Sequence, residues 1–439
     1  MGDEAFRKDL DDVLSSAEKA GVTRFLVPGI DLSSSIEAVR LSGRRRGVFA
    51  AVGIHPNELN DDSYTDIEKI QGILIDPGVA AVGETGMDFY RDVVGKDLQR
   101  EFLAGHAELA RAFGLTLVVH SRGAEEEVLE VLGDDLPVPV VLHCYTGDAV
   151  TARKAVDRGF YIGFAGPITY RGNDELRKLA AGLPGDRILA ETDSPYLAPS
   201  PVRGSRNEPA NLVHVVEALA ETTNMELHAM VERLTENSES AFRLGARRRT
   251  ALVYRLGDTI YMNITGKCDN HCRFCIRDRT DGIGGYRLRH DVEPDDTRLR
   301  SIISFLPPGN GRELVFCGYG EPTMRPVLLE ELAEAASGKG YMVRLNTNGT
   351  CLARMSGEDV VKMLAPFHRV SVSLNASSEK EYARLCRPSL PNAWERLLEF
   401  VELAGKSSEV RLTAVGYPGL DMKAVKRLAE SMGFPFRVR

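Results

Sequence analysis

The chain has 439 residues, of which 43% are hydrophobic and 27% are charged, the proportions of a folded globular protein. Because a domain usually has about 100–200 residues, this length predicts two domains. The N-terminal residues mix acidic and basic side chains, and no stretch approaches the ~20 apolar residues that span a membrane, so we predict neither a signal peptide nor a membrane span and expect a cytoplasmic protein.

Charge divides the chain into two parts of opposite sign. Residues 1–246 carry 25 Lys and Arg against 40 Asp and Glu, a net charge of −15, whereas residues 247–439 carry 30 against 23, a net charge of +7. This asymmetry supports two domains. It also indicates that the front part repels a polyanion unless metal ions or a local basic patch reverse its field.

Seven apolar runs alternate with amphipathic segments in the front part, which favours a parallel sheet covered on both faces. The runs are residues 23–30, 48–55, 79–86, 115–122, 138–147, 161–166 and 188–195. They predict an α/β fold, a TIM-type (β/α)8-like barrel over residues 1–245 that is one strand short. Either the first strand is missing or the sheet is open.

Polar side chains stand at the carboxyl ends of five of these strands. They are His55, Glu84, His120, His143 and Asp193. Barrel enzymes carry their active sites on that face. A single histidine is more often a structural residue, but five polar groups at equivalent depth indicate a functional site.

The back part repeats the alternation on a smaller scale. Residues 246–256, which begin with the basic run ARRRT, are predicted as a linker, although that run equally fits a solvated surface. Six apolar runs predict a partial (β/α)6 barrel over residues 257–439: 259–265, 313–318, 341–349, 369–376, 409–416 and 434–439.

Three cysteines, Cys268, Cys272 and Cys275, lie within one short loop after the first strand of the back part. The total of seven cysteines is odd and the three lie close together, which argues against a secreted disulfide framework. Thiolates bind zinc or iron–sulfur clusters. His271 could complete a zinc site, but its place directly before Cys272 makes the same ion hard to reach. Three thiolates on a [4Fe–4S] cluster leave one iron free for a substrate or cofactor.

The CxxxCxxC spacing, followed by CGYGEP (317–322), NTNGT (346–350) and SLNA (373–376), resembles the radical S-adenosylmethionine (SAM) family. The resemblance implies a [4Fe–4S] cluster on the three cysteines, SAM as cofactor, and a 5'-deoxyadenosyl radical that abstracts hydrogen from a substrate. It also implies a flavodoxin-like or ferredoxin-like electron donor. The residues expected to contact SAM are Gly318, Gly320, Glu321, Asn346, Asn348, Ser373 and Asn375.

A second set of motifs runs through the front part: GIHPNE (53–58), VGETGMDFY (82–90), VVHSRGA (118–124), LHCYTG (142–147), ETDSPYLAP (191–199) and RGSRNEP (203–209). They resemble the TatD family of metal-dependent deoxyribonucleases. The resemblance implies hydrolysis of DNA or another phosphodiester with Mg²⁺, Mn²⁺ or Zn²⁺. Glu84, His120, His143 and Asp193 would ligate the metal. Asp193 would also help to deprotonate water, and His55 would contact the phosphate or the leaving group.

The sequence departs from that family at its start. TatD proteins begin with a strand ending in an HxH pair, which completes the metal site, and this sequence contains no HxH. Either the gene start is set too far downstream, or the front part is a scaffold that has lost activity. We therefore predict a TatD-like phosphodiesterase or deoxyribonuclease fused to a radical SAM enzyme. The alternative is a radical SAM enzyme carried on a catalytically inactive TatD-like scaffold. Nothing in the sequence identifies the radical substrate.

Overall fold

The computed structural model describes residues 4–91, 93–245 and 248–439. The chain divides into two compact units, Met1–Arg249 and Thr250–Arg439, and each is built on a seven-stranded sheet. Residues 246 and 247 of the predicted linker lie outside the described residues. None of the described helices is long and apolar enough to cross a membrane.

The first sheet is entirely parallel and follows chain order. Its strands are β1 (Phe25–Pro28), β2 (Val48–Val52), β3 (Val79–Asp88), β4 (Thr116–Arg122), β5 (Val140–His143), β6 (Tyr161–Phe164) and β7 (Ile188–Ala190). All seven predicted strands are confirmed. Among the described residues no ladder joins β1 to β7, so the sheet curves as an open barrel rather than closing.

Amphipathic helices surround the strands of the first sheet: one precedes β1, one follows each of β1 to β6 and two follow β7. They are α1 (Leu10–Lys19), α2 (Leu32–Arg44), α3 (Ser63–Ile73), α4 (Lys96–Phe113), α5 (Glu125–Leu132), α6 (Ala149–Asp157), α7 (Asp174–Gly182), α8 (Leu212–Thr223) and α9 (Leu227–Ala241). α4 shows why they form, because its buried residues Phe102, His106, Leu109 and Phe113 recur at helical spacing on one face. α4 ends at Gly114, which takes the left-handed conformation (φ 65°).

The second sheet has the strand order β16-β15-β14-β13-β12-β9-β8. The strands of this unit are β8 (Val253–Leu256), β9 (Thr259–Met262), β10 (Gly282–Ile283), β11 (Tyr286–Arg287), β12 (Glu313–Phe316), β13 (Met342–Thr347), β14 (Arg369–Ser373), β15 (Glu409–Ala414) and β16 (Phe436–Val438). The six predicted strands are confirmed. β8 lies inside the segment predicted as a linker, where it pairs antiparallel with β9 across a two-residue turn. β10 and β11 form a separate small hairpin.

Helices cover one face of the second sheet. They are α10 (Asp296–Phe305), α11 (Pro326–Gly338), α12 (Gly357–Leu364), α13 (Glu379–Cys386), α14 (Ala393–Ala404) and α15 (Met422–Ser431). Successive strand residues point to opposite faces. One face is fully buried and apolar, formed by Leu314, Phe316, Val343, Leu345, Val370, Val372, Val410 and Leu412. The alternate residues, on the inner face of the curved sheet, are mostly polar.

We predict that Asn237 of α9 holds the edge strand β7 in place. Its side-chain amide is buried and donates to the carbonyl oxygens of Gly185 (2.8 Å) and Ile188 (2.7 Å). Asn237→Ala leaves both acceptors unpaired, so the opening free energy of β7 should fall by about 1–3 kcal/mol. Hydrogen–deuterium exchange of amides in β6 and β7 measures this locally. Thr235→Ala, on the exposed side of α9, is the control and should change that energy by less than about 0.5 kcal/mol. Equal exchange in the two variants would contradict the prediction.

Candidate metal and cofactor sites

The carboxylate of Glu84 lies at the centre of the first site, surrounded by three imidazoles. Its Oε1 is 3.5 Å from Nε2 of His55, 3.3 Å from Nδ1 of His120 and 3.6 Å from Nε2 of His143. Glu84 is only 7% exposed. Burial disfavours its charge, but the nearby His143 and His120 outweigh burial and hold the pKa of Glu84 well below its usual range. The side chain therefore stays an anion.

His143 is oriented by a second carboxylate. Its Nδ1 lies 2.5 Å from Oε2 of Glu191, while Oε1 of Glu191 accepts from the backbone N–H of Cys144 at 2.6 Å. Nδ1–H therefore donates to Glu191, and Nε2 faces Glu84 and Asp193, whose Oδ1 is 3.5 Å away. Burial works against the charge on His143, but Glu191 and Glu84 raise its pKa well above the ordinary value. This carboxylate–histidine pair is the usual arrangement behind a metal ligand.

Gly163 makes room for that second carboxylate. A Cβ at this position would lie 2.1 Å from Oε1 of Glu191. Residue 163 must therefore be glycine for Glu191 to reach both the imidazole of His143 and the amide of Cys144.

His120 is held in a similar way by Asp88. Its Nε2 is 3.2 Å from Oδ2 of Asp88, and that oxygen also accepts from Nδ2 of Asn57 at 3.0 Å. Backbone N–H groups of Tyr90 and Arg91 bind the other oxygen. With Nε2–H donating to a fixed carboxylate, the lone pair on Nδ1 points at Glu84. His120 is thus oriented as a ligand, like His143.

In His55, unlike His120, the ring nitrogen that faces Glu84 carries the proton. Its Nδ1 accepts from the backbone N–H of Asn57 at 3.1 Å, so the ring proton sits on Nε2 and faces Glu84. Burial lowers the pKa of His55 to about 4, which keeps the ring neutral at neutral pH. In this tautomer His55 donates a hydrogen bond into the site instead of offering a lone pair.

Asp193 enters the site from the loop after β7 in a left-handed backbone conformation (φ 57°). The buried amide of Asn207 fixes this loop by donating to the carbonyl oxygens of Thr192 and Tyr196, each at 2.7 Å. Burial raises the pKa of Asp193 to about 6, with His143 acting in the opposite direction and Glu84 in the same direction. Asp193 can therefore exchange a proton near neutral pH.

The donor set fits a divalent metal ion. One polar atom each of His55, Glu84 and His120 lies within 4.8 Å of the other two, and the hydrogen bonds place Nδ1 of His120 and Nε2 of His143 beside the carboxylate of Glu84. Mixed imidazole and carboxylate donors suit Zn²⁺ or Mn²⁺. The five residues predicted for this site lie together. The assignment of Glu84, His120, His143 and Asp193 as metal ligands, and of His55 as a contact of the phosphate or leaving group, stays a prediction.

The sequence analysis missed the two carboxylates that orient the histidines. Glu191 stands two residues before Asp193 in ETDSP, and Asp88 stands four residues after Glu84 on the same face of β3. Acidic residues at even spacing from a predicted strand-end ligand are the signal that would have found them.

A cavity of about 250 Å³ adjoins the metal site between β1 and β7. Glu84, His143 and Asp193 line one part of it. The remaining lining is mostly apolar and includes Leu26, Phe49, Val118, Val141, Leu189 and Phe242. Space therefore remains where the open sheet lacks a ladder.

The cysteine loop in the second unit follows β9 and is held by the end of α13. Cys268, Cys272 and Cys275 are free thiols, and all three are half-buried. The backbone N–H of His271 donates to the carbonyl of Cys386 at 3.0 Å, and that of Arg273 to the carbonyl of Leu385 at 2.9 Å. The protein therefore fixes the loop backbone through its own hydrogen bonds.

Donors approach each of the three sulfurs. Nε of Arg277 lies 3.3 Å from Sγ of Cys275, and the backbone N–H of Asn270 lies 3.4 Å from Sγ of Cys268. A hydrogen bond with the thiol of Cys386 lowers the pKa of Cys272, whereas burial raises the pKa of Cys268 to about 12. Three free thiols with hydrogen bonds to their sulfurs fit an iron–sulfur cluster. A zinc site remains the alternative.

The two glycines expected at the cofactor also pack against the cysteine loop. A Cβ on Gly318 would lie 1.9 Å from Oδ1 of Asn263, and one on Gly320 would lie 2.2 Å from the carbonyl oxygen of Thr265. These contacts require glycine whether or not SAM is bound. Glycine here allows the two loops to approach closely.

The carboxylate of Glu321 forms hydrogen bonds within the second unit. It is buried and accepts hydrogen bonds from Oγ1 of Thr347 (2.7 Å), Oγ1 of Thr323 (2.8 Å) and the backbone N–H of Asn348 (2.7 Å). Burial raises the pKa of Glu321, and these donors oppose the rise. The side chain thus ties the end of β12 to the end of β13.

The side chains of the four remaining residues predicted to contact SAM differ in their hydrogen bonds. The side chain of Asn348 donates to Oδ1 of Asp269 at 2.6 Å, and Oδ1 of Asn375 accepts from the backbone N–H of Val415 at 3.0 Å. Asn346 and Ser373 lie on the inner face of the sheet, and Oδ1 of Asn346 is buried with no partner among the described residues. Asn346 is thus the member of this group with a free acceptor.

The first sheet, with imidazoles and carboxylates gathered at its carboxyl edge, has the architecture of a metal-dependent hydrolase. The second has a three-cysteine loop at the carboxyl edge of a partial barrel. Comparison with known proteins is consistent with both features. The chain belongs to the TatD related DNase family, whose family model matches residues 1–243, and residues 262–432 match the Radical SAM superfamily. The predicted fusion of these two domains is confirmed.

Relatives of the front unit include the metal-dependent hydrolase YcfH of Escherichia coli (strain K12), 36% identical over 56% of this chain and 92% of YcfH. The 3'-5' ssDNA/RNA exonuclease TatD of Salmonella typhimurium (strain LT2) is 34% identical over 49% of this chain and 85% of that protein. Among solved structures, the TatD homologue YjjV of Escherichia coli K12 has a TM-score of 0.52 and 26% identity, over 55% of this chain and 95% of YjjV.

We predict that Glu191→Gln weakens metal binding without unfolding the front unit. An amide in place of the carboxylate removes the charge that orients His143, and loss of such a partner typically costs about 10–100-fold in metal affinity. Calorimetric titration of the full chain with Mn²⁺ or Zn²⁺ measures the change. Glu175→Gln, an exposed carboxylate on α7 that pairs with Lys178, is the control. An unchanged affinity in Glu191→Gln would show that Glu191 does not support a metal ligand.

Proposed function

We propose that the front unit hydrolyses phosphodiester bonds of DNA or a related nucleic acid with a divalent metal ion. The observation that carries this proposal is the position of Glu84, whose Oε1 lies within 3.6 Å of three imidazole nitrogens at the carboxyl edge of a parallel sheet. When bound, a divalent ion lowers the pKa of water and neutralises negative charge on a phosphate. Membership of the TatD related DNase family supports the same chemistry.

The residues divide this work according to their hydrogen bonds. Glu84, His120, His143 and Asp193 would hold the ion through oxygen and nitrogen lone pairs. Asp193 also accepts a proton from the attacking water, for which its raised pKa suits it. His55 keeps a proton on Nε2 and donates it in a hydrogen bond to a phosphate oxygen or the leaving group.

We predict that the full chain with Mn²⁺ or Mg²⁺ shortens a 5'-labelled single-stranded oligonucleotide. Asp193→Asn should lower kcat by about 10²–10⁴-fold, because it removes the proton acceptor. Asp186→Asn, an exposed acid near β7, is the matched control. Gel analysis of product length gives the rates. Metal-dependent cleavage that survives in Asp193→Asn would contradict the role of this residue.

A wild-type chain that binds metal tightly but cleaves no oligonucleotide would instead favour the second candidate, in which the front unit is an inactive scaffold for the radical enzyme. The open sheet between β1 and β7 and the adjoining cavity are the observations behind that candidate.

We further propose that the second unit binds a [4Fe–4S] cluster and SAM. The carrying observation is the three-cysteine loop, with Cys268, Cys272 and Cys275 all free and each sulfur approached by a hydrogen-bond donor. When bound and reduced, the cluster supplies the electron that cleaves SAM to methionine and a 5'-deoxyadenosyl radical. The chain's own residues would hold the cluster on Cys268, Cys272 and Cys275, place the SAM ribose through Asn346 and Ser373, and exclude water. We expect a flavodoxin-like or ferredoxin-like protein as electron donor, and the free thiols support a reducing compartment such as the cytoplasm.

We predict that anaerobic reconstitution loads about four irons per chain, as a cube held by cysteine thiolates requires. Cys272→Ala should lose the cluster, while Cys351→Ala, a buried free cysteine outside the loop, should keep it. Iron analysis and a visible absorbance that bleaches with dithionite are the measurements. With SAM and reductant, 5'-deoxyadenosine should accumulate in the wild type. Tight binding of zinc with no uptake of iron would contradict the proposal.

A further inference from the structure

Arginines gather on the inner face of the second sheet. Register and strand alternation place five of them on one face: Arg344, Arg369, Arg411, Arg437 and Arg439. Only two acidic side chains, Glu313 and Glu409, share that face along the described strands β12 to β16. Their charges leave the face with an excess of three positive side chains.

Both acidic side chains on this face form ion pairs, but the arginines outnumber them. Glu313 pairs with Arg344 (3.0 Å) and Arg369 (3.6 Å), and Glu409 pairs with Arg369 (2.9 Å) and Arg411 (3.7 Å). All four ion pairs lie near the amino ends of the strands. In the carboxyl half of the face, Arg437 and Arg439 therefore have no acidic partner among the described residues, and Arg411 shares Glu409 with Arg369.

Several polar atoms on this face are buried without partners. Nε of Arg344, Nε of Arg369 and Oδ1 of Asn346 have no hydrogen-bond partner among the described residues. Burial lowers the pKa of Arg439; the nearby Cys317 opposes the fall, and the charges of Arg344 and Arg437 add to it. The lowering by Arg344 and Arg437 reflects repulsion between like charges on this face.

Register connects these arginines to the predicted cofactor contacts. Asn346 pairs with Ser371, which pairs with Arg411 on the next strand. In the following row Ser373 pairs with Thr413, which pairs with Arg437. Since neighbouring strands lie about 4.8 Å apart, each arginine is about 10 Å across the face from a residue expected at the SAM ribose. Arg437 is also exposed, so a ligand can reach it.

We propose that the radical substrate is an anion carrying a phosphate ester, held by Arg411 and Arg437 on the inner face of β15 and β16. This inference rests on the proposed radical SAM activity of the second unit. A phosphate monoester brings about two negative charges at neutral pH and matches the planar donors of arginine, whereas one carboxylate would neutralise only one of the excess cations. The net charge of +7 over residues 247–439 favours the same kind of ligand.

The test measures equilibrium binding of deoxyadenosine monophosphate to the full, cluster-loaded chain by calorimetry, anaerobically and without added divalent metal. Deoxyadenosine is the uncharged match and succinate the carboxylate match. Arg411→Gln and Arg437→Gln should each weaken binding of the nucleotide by about tenfold or more, since each removes a charge-assisted hydrogen bond. Arg396→Gln, an exposed arginine on α14 paired with Glu399, changes the charge equally and should leave binding unchanged.

Equal binding of nucleotide and nucleoside, or equal effects of all three variants, would overturn the inference. Binding of succinate as tight as that of the nucleotide would overturn the assignment of phosphate. Because Arg437 is exposed at the edge of the sheet, we expect the Arg437→Gln variant to fold like the wild type. Cluster loading and SAM cleavage without nucleotide binding would refute this inference alone. Arginine-dependent binding by a chain that never loads a cluster would refute the radical function, and it would overturn the assignment of the bound phosphate ester as a radical substrate.

Discussion

A carboxylate buried among strands needs hydrogen-bond donors or positive charge around it, because water no longer stabilises its charge. Both sheets place such a group at the carboxyl edge. Glu84 collects three imidazoles, and Glu321 collects two threonine hydroxyls and a backbone amide. In each sheet the carboxylate joins the ends of neighbouring strands and so fixes the loops that carry the remaining functional groups. The first carboxylate is surrounded by imidazoles, a side chain of the kind that ligates metal ions, and the second by groups that only satisfy its hydrogen bonds. The same constraint thus yields a candidate metal site in one unit and a structural tie in the other.

Parallel topology explains why much of the metal site is predictable from sequence. Residues that follow different strands must meet at one edge, so His55, Glu84, His120, His143 and Asp193 could be grouped before any coordinate was known. The sequence contains no comparable signal for which ring nitrogen of a histidine faces the site. His55 accepts a backbone N–H at Nδ1, whereas His143 donates from Nδ1 to Glu191. Their different roles follow from those bonds, which depend on loop geometry that spacing does not encode.

Register limits what the sequence shows of the second unit. The strand Val253–Leu256 was assigned to a linker, although Gly257 and Asp258 form the two-residue turn typical of a hairpin. The arginines of β13 to β16 are spread over about a hundred residues of sequence. Only the ladder pairing places them on one face, because a shift of one residue would move each side chain to the other side. The cysteine loop, by contrast, is local in sequence and was predicted directly.

Hydrogen bonds from the backbone N–H groups of His271 and Arg273 to the end of α13 hold the cysteine loop. Fixing the backbone of one residue costs about 1–2 kcal/mol of conformational entropy, and here the fold has already met that cost. A small zinc domain, by contrast, orders its ligands only when the ion arrives, so that binding and folding are one event. Here the polypeptide itself supplies part of the order of the loop, through the two backbone hydrogen bonds to α13. We therefore expect cofactor loss to affect the stability of this protein less than metal loss affects a small zinc domain.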